Sequence, residues 1–125
     1  MSEKKTDKQI LGKRGEDVAV TFLESKDIQI LERNYHFMKA EIDIVAYNGR
    51  QIIFAEVKTR TSTKFGEPEE AVSEKKKKNM YAAAEAWLYE RKMDGAPVRF
   101  DIISVVIREG EEPRIRHFEA AFWYL

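Results

Sequence analysis

Cysteine is absent from the 125 residues, which excludes disulfides and thiolate metal sites and makes a reducing cytoplasm the natural compartment. Long apolar runs are absent too. None approaches the roughly 20 residues of a membrane helix, and the polar stretch at residues 1–9 is followed by no secretory signal. An excess of basic charge, common in nucleic-acid-binding domains, is missing: 22 basic residues balance 22 acidic ones. The two histidines, His36 and His117, are isolated and read as surface or packing residues. There is no internal repeat and no low-complexity linker. A single cytoplasmic domain over residues 1–125 is expected, with residues 1–7 flexible and no membrane partner.

Charge is nevertheless unevenly placed. Lys75, Lys76, Lys77 and Lys78 form a basic block, while Glu67, Glu69, Glu70 and residues 109–112 are acidic. Periodicity supplies the elements. Leu11, Gly15, Val18, Ala19, Phe22 and Leu23 recur at helical spacing over residues 7–25. Gly12 and Gly15 weaken that helix unless another backbone or a substrate comes close. Strands are predicted at 28–37, 41–47 and from 50 or 51 to 58, followed by a polar loop over 59–68. A second helix runs from 69 or 73 to 93, with Met80, Ala83, Ala84, Trp87 and Leu88 as its apolar stripe; Trp87 reads as core. A fourth strand covers 98–107, with Asp101 as a buried hydrogen-bonding residue, and a short edge strand covers 114–118. The aromatic tail Phe122, Trp123 and Tyr124 is expected to dock on the body. This α-β-β-β-α-β order defines an α/β fold with a mixed central sheet flanked by helices.

The sharpest local signal is the hairpin over residues 41–58. Asn48-Gly49 suits a two-residue type I′ turn, which would pair Tyr47 with Arg50, Asp43 with Phe54 and Glu41 with Glu56. Alternation then places Ile42, Ile44, Ala46, Ile53, Ala55 and Val57 on an apolar face. The other face gathers Glu41, Asp43, Glu56 and Lys58 beside Ile52 and Phe54. Opposed carboxylates repel by about 1 kcal/mol in water and more in a less polar surrounding, so a cation should compensate. Lys58 is one candidate and Mg²⁺ (or Mn²⁺) the other, since hard cations take carboxylate oxygens. Glu16, at the edge of the first helix's apolar stripe, could be aimed at the same place. The alternative is a solvated face with weak surface ion pairs.

An ordered set of residues carries a resemblance: Gly15-Glu16, Asn34, Glu41-Ile42-Asp43, Glu56-Val57-Lys58 followed by Arg60, Gly66 with Pro68, Lys76, and Phe100-Asp101. The set resembles the YraN-like family of small bacterial proteins, itself similar to the restriction-endonuclease-like PD-(D/E)xK nucleases and, among them, to archaeal Holliday-junction resolvases. It departs from the family at Ala40, where glycine is usual, and at Tyr35 and His36, where an arginine usually follows Asn34. The resemblance implies a restriction-endonuclease-like α-β-β-β-α-β core. It implies that Asp43, Glu56 and the Val57 backbone carbonyl bind the metal, that Lys58 orients or helps deprotonate the attacking water, and that Glu16 joins through a water. Glu41 is a further candidate ligand from the hairpin pairing.

The expected activity is divalent-metal-dependent hydrolysis of DNA phosphodiesters, in branched or damaged DNA during repair or recombination. A metal would neutralise a phosphate oxygen and make a water more acidic. Arg60, Lys75, Lys76 and Lys77 are the candidate nucleic-acid contacts, and Arg14 could extend that surface. Junction resolvases act as dimers, so a homodimer is a candidate assembly. Two other readings stay open: a nucleic-acid-binding module of the same fold with little or no catalysis, and a protein-interaction domain whose hairpin charges serve solubility.

Overall fold

The computed structural model describes residues 5–62 and 72–123. The elements are α1 (Asp7–Ser25), β1 (Gln29–Phe37), β2 (Ala40–Tyr47), β3 (Ile52–Arg60), α2 (Glu74–Glu90), β4 (Val98–Val106) and β5 (Arg114–Phe122). Of the sequence features above, Gly66, Glu67, Pro68, Glu69, Glu70 and Tyr124 lie outside the described residues.

Helix α1 opens on a capping box. Thr6 Oγ1 accepts from the Gln9 N–H at 3.1 Å, and Gln9 Oε1 accepts from the Thr6 N–H at 2.9 Å, so two otherwise unpaired donors are satisfied reciprocally. Its buried line is Gly15, Ala19 and Leu23, four residues apart and therefore on one face. Gly15 is there because β3 comes close: a Cβ at this position would lie 1.9 Å from Thr59 Oγ1.

The five strands lie in the order β1-β2-β3-β4-β5. Only β3 and β4 are parallel, and α2 makes the crossover that a parallel pair requires. The α1 face of the sheet packs Ala19 and Leu23 on Ile44, Ile53, Ile103 and Val105. The α2 face packs Met80, Ala83 and Trp87 on Val45, Phe54 and Phe100. β4, covered on both sides, is accordingly buried from Phe100 to Val106, with Asp101 and Ser104 as polar residues among the apolar ones. The mixed α/β architecture expected from the sequence is therefore the one found, and Trp87 is core at 2% exposure.

Three expectations need correction. First, the hairpin turn is longer. Tyr47 pairs with Ile52 rather than Arg50, because Asn48 Oδ1 accepts from the N–H groups of Arg50 (2.9 Å) and Gln51 (2.8 Å) and builds a four-residue turn. Only Gly49, at φ +92°, takes a positive φ there. The register moves by two residues and the paired stretch ends at Ile44 with Ala55, which leaves Asp43 rather than Glu41 next to Glu56.

Second, the alternation of faces breaks in mid-strand. Ile44 packs on the α1 side and Ile42 on the α2 side, although residues two apart should share a face. Across the pair, Arg33 bonds to Asp17 of α1 at 2.6 Å while the Tyr35 hydroxyl bonds to Glu90 of α2 at 2.8 Å. Between them Asn34 adopts a left-handed φ of 53°. Both strands thus change face at Asn34 and Asp43. Third, β5 extends to Phe122 instead of ending at 118. Of the tail, Phe122 is buried and stacks on Phe100 at 5.4 Å, whereas Trp123 is exposed.

Among the described residues no helix is long and apolar enough to cross a membrane.

Candidate functional site

The break at Asn34 and Asp43 lies where β2 and β3 approach the first turns of α1 and α2. Asp43 Oδ2 accepts a hydrogen bond from the Val57 N–H at 2.7 Å. This holds its carboxylate at the end of the regular β2–β3 ladder, beside Glu56. Glu56 is 4% exposed. Its Oε1 lies 3.6 Å from Lys58 Nζ and its Oε2 lies 3.6 Å from Lys76 Nζ of α2. Among the described residues Oε2 has no hydrogen-bond partner, an unfavourable state for a buried carboxylate oxygen.

The electrostatics follow from that crowding. Burial, and next the Glu56 charge, push the Asp43 carboxyl up to about 8; the Val57 N–H opposes the rise, and Glu41 and Glu16 add to it. Two carboxylates confined in one buried corner must share a proton or accept a cation. Among the described residues no three histidine or acidic side chains are grouped closely enough to cage a metal alone. Mg²⁺ needs no cage: it is held by one or two carboxylates and keeps several waters. The Asp43–Glu56 pair, with an orphaned oxygen and hard donors only, fits that requirement.

Asp43, Lys58, Glu16, Arg60 and Val57 line one hollow of about 240 Å³, together with Lys8 and Thr59. Glu16 is therefore brought to the site, but it is already engaged: Arg33 Nε donates to its Oε1 at 3.1 Å and Asn34 Nδ2 at 2.9 Å. Glu41 stands 4.0 Å from His36. Of the basic residues, Lys76 alone in its block turns onto Glu56. Lys77 pairs with Glu74 at 3.1 Å and lies over the Phe122 ring. Lys75, Arg14 and Arg60 are exposed.

Two arrangements escaped the sequence. The Lys76–Glu56 contact depends on how α2 docks, which no local pattern encodes. The other is a second buried carboxylate. Asp101 accepts from Arg99 Nε and Nη2, both at 2.9 Å, from His117 Nε2 at 2.7 Å and from the Ala120 N–H at 3.0 Å. Asp101 is the buried hydrogen-bonding residue expected, but His117 is its partner rather than an isolated side chain. Lys26 Nζ sits 3.3 Å from His117 Nδ1; an ammonium only donates, which leaves the ring proton on Nε2, facing Asp101. The available signal was Arg99, two residues before Asp101 and on the same strand face.

Fold and site together define a mixed α/β protein with a buried carboxylate–lysine centre between two helix starts. The chain belongs to the UPF0102 family: the model of the uncharacterised protein family UPF0102 matches residues 15–105, a span that includes Glu16, Asp43, Glu56, Lys58 and Lys76. It is 44% identical over 120 residues to a UPF0102 protein of Geotalea daltonii, covering 96% of this chain and 94% of that one. A UPF0102 protein of Geobacter metallireducens is 46% identical over 112 residues, covering 90% and 91%. One from Clostridioides difficile is 44% identical over 111 residues, covering 89% and 95%. The family expected from the ordered residues, one of small bacterial proteins, is in that sense the family found.

Proposed function

We propose that this chain is a divalent-metal-dependent endonuclease of the restriction-endonuclease-like PD-(D/E)xK class, hydrolysing DNA phosphodiester bonds in branched or damaged DNA. The observation that carries the reading is the buried Glu56 carboxylate beside Asp43, with one oxygen that accepts no hydrogen bond among the described residues. Asp43, Glu56 and the Val57 carbonyl are the oxygen donors that would hold Mg²⁺ or Mn²⁺. When bound, such an ion supplies positive charge beside a phosphate and acidifies a water.

The chain's own residues do the rest. The Val57 N–H fixes the orientation of Asp43. The Lys58 ammonium favours the deprotonated form of a neighbouring water and stabilises charge gathering on the phosphate. Arg33 and Asn34 hold Glu16 at the rim of the hollow, placed to accept a proton or bind a water. Arg60, Lys75 and Lys8 offer exposed positive charge to the DNA backbone.

One observation favours the non-catalytic binding module instead: both Glu56 oxygens already face ammonium groups. Incubation with duplex, flap and four-way-junction DNA in Mg²⁺ or Mn²⁺ separates the readings, with Asp43→Ala and Lys58→Ala as controls. Cleavage that needs metal and both side chains is expected. Binding without cleavage selects the module, and cleavage unchanged in both variants eliminates the site.

A further inference from the structure

We infer that Lys76 is the resident counter-cation of this centre: in the metal-free protein its ammonium stands at Glu56 in place of the divalent ion, and metal entry displaces it. The inference rests on the metal-site reading above and adds a residue that competes with the metal.

Geometry is the first support. Lys76 Nζ lies 3.6 Å from Glu56 Oε2, the buried oxygen without a hydrogen-bond partner among the described residues. The contact is electrostatic, longer than a hydrogen bond, and so leaves that oxygen's lone pairs available to a metal. Lys58 already faces Oε1 at the same distance, so a divalent ion arriving at Glu56 meets two ammonium groups at close range. Like charges that near one another cannot all stay.

Position decides which leaves. Lys58 is on β3, fixed in the sheet, with a side chain 21% exposed; the Lys76 side chain is 35% exposed and has an open way out. Lys76 is also the third residue of α2, in the first turn after the Ser73 cap, whose hydroxyl accepts its N–H at 3.1 Å. A cation in a first helical turn opposes the helix dipole, so Lys76 needs an anion nearby. Glu56 is that anion without metal. Once metal holds Glu56, a DNA phosphate can take the same role, since helix starts favour phosphate. Metal and DNA should accordingly reinforce each other's binding through this side chain.

The test is a calorimetric Mn²⁺ titration of the full chain with no DNA present. Wild type is compared with Lys76→Met, with Lys76→Gln, which keeps a donor but loses the charge, and with Lys78→Met as a control for charge on the same helix. Circular dichroism verifies folding. Both Lys76 variants should bind Mn²⁺ about tenfold more tightly than wild type, by removal of a competing charge, with Lys78→Met within about twofold and Lys76→Arg close to wild type. Lys76→Met and Lys76→Gln proteins that bind no more tightly than Lys78→Met overturn the inference and leave the metal site standing. Absence of Mn²⁺ binding in every protein overturns both.

Discussion

The Asp43 carboxylate and the backbone N–H of Val57 are joined by a 2.7 Å hydrogen bond across the β2–β3 pair. This bond ties an acidic side chain to the strand that carries Glu56 and Lys58, and it does so where β1 and β2 change face. The centre is therefore part of the sheet's own geometry, and its chemistry should appear in folding stability as well as in activity.

Stability should depend on pH through Asp43. Its carboxyl is pushed up to about 8 in the folded metal-free protein and titrates near ~3.9 in an unfolded chain. Below that lower value both states are protonated and the group is neutral to stability. Between the two, only the folded state keeps the proton, so stability falls as pH rises. Calorimetry in the presence of EDTA should show the melting temperature dropping from pH 5 to pH 8. Asp43→Asn should flatten that drop and melt several degrees above wild type at pH 8. Parallel profiles for the two proteins would exclude a proton held by Asp43.

Gly15→Ala should destabilise the fold. The added Cβ would lie 1.9 Å from Thr59 Oγ1 and 2.8 Å from Thr59 Cβ, a collision that rotation of the threonine cannot relieve. Overpacking of this kind costs about 1–3 kcal/mol, readable in urea unfolding. Adding Thr59→Gly should recover part of the loss. A neutral Gly15→Ala would show that α1 can shift on the sheet.

Asp101→Asn tests the second buried carboxylate. Burial alone would raise the Asp101 carboxyl, but hydrogen bonds from His117 and Arg99 overcome it and hold it below the usual range. Removing one member of a buried charge pair costs about 3–5 kcal/mol. Unfolding should show that loss with Mn²⁺ affinity unchanged. A change in affinity without loss of stability would place Asp101 in the site.

Lys58→Met should separate binding from chemistry. A group assisting proton transfer contributes roughly 10²–10⁴ in rate, so cleavage should fall by that order while Mn²⁺ still binds. Full cleavage by this variant would remove Lys58 from the mechanism.

Much of the fold was legible because it is written locally. The apolar spacing from Leu11 to Leu23 specifies α1, and the Met80-to-Trp87 stripe specifies α2. The nearness of the proposed residues was legible as well: Asp43, Lys58 and Glu16 line one hollow, and Glu56 stands 3.6 Å from Lys58. The register was not, because the Asn48 side chain, rather than the dipeptide's backbone preference, sets the turn. A slip of two residues preserves faces, so it changed Glu56's neighbour from Glu41 to Asp43 without moving Glu56 off its face. Ile42 was misplaced because a left-handed Asn34 leaves no mark on an alternation count. Contacts between distant elements, Lys76 with Glu56 and His117 with Asp101, arise only once the helices and β5 have docked.

The most direct test of the central claim, that Asp43 and Glu56 hold a divalent cation, is anomalous diffraction from crystals soaked in Mn²⁺. The account predicts an anomalous peak bounded by the Asp43 and Glu56 carboxylates, lost in Asp43→Asn. A peak elsewhere, or none at these two side chains at saturating Mn²⁺, would contradict it.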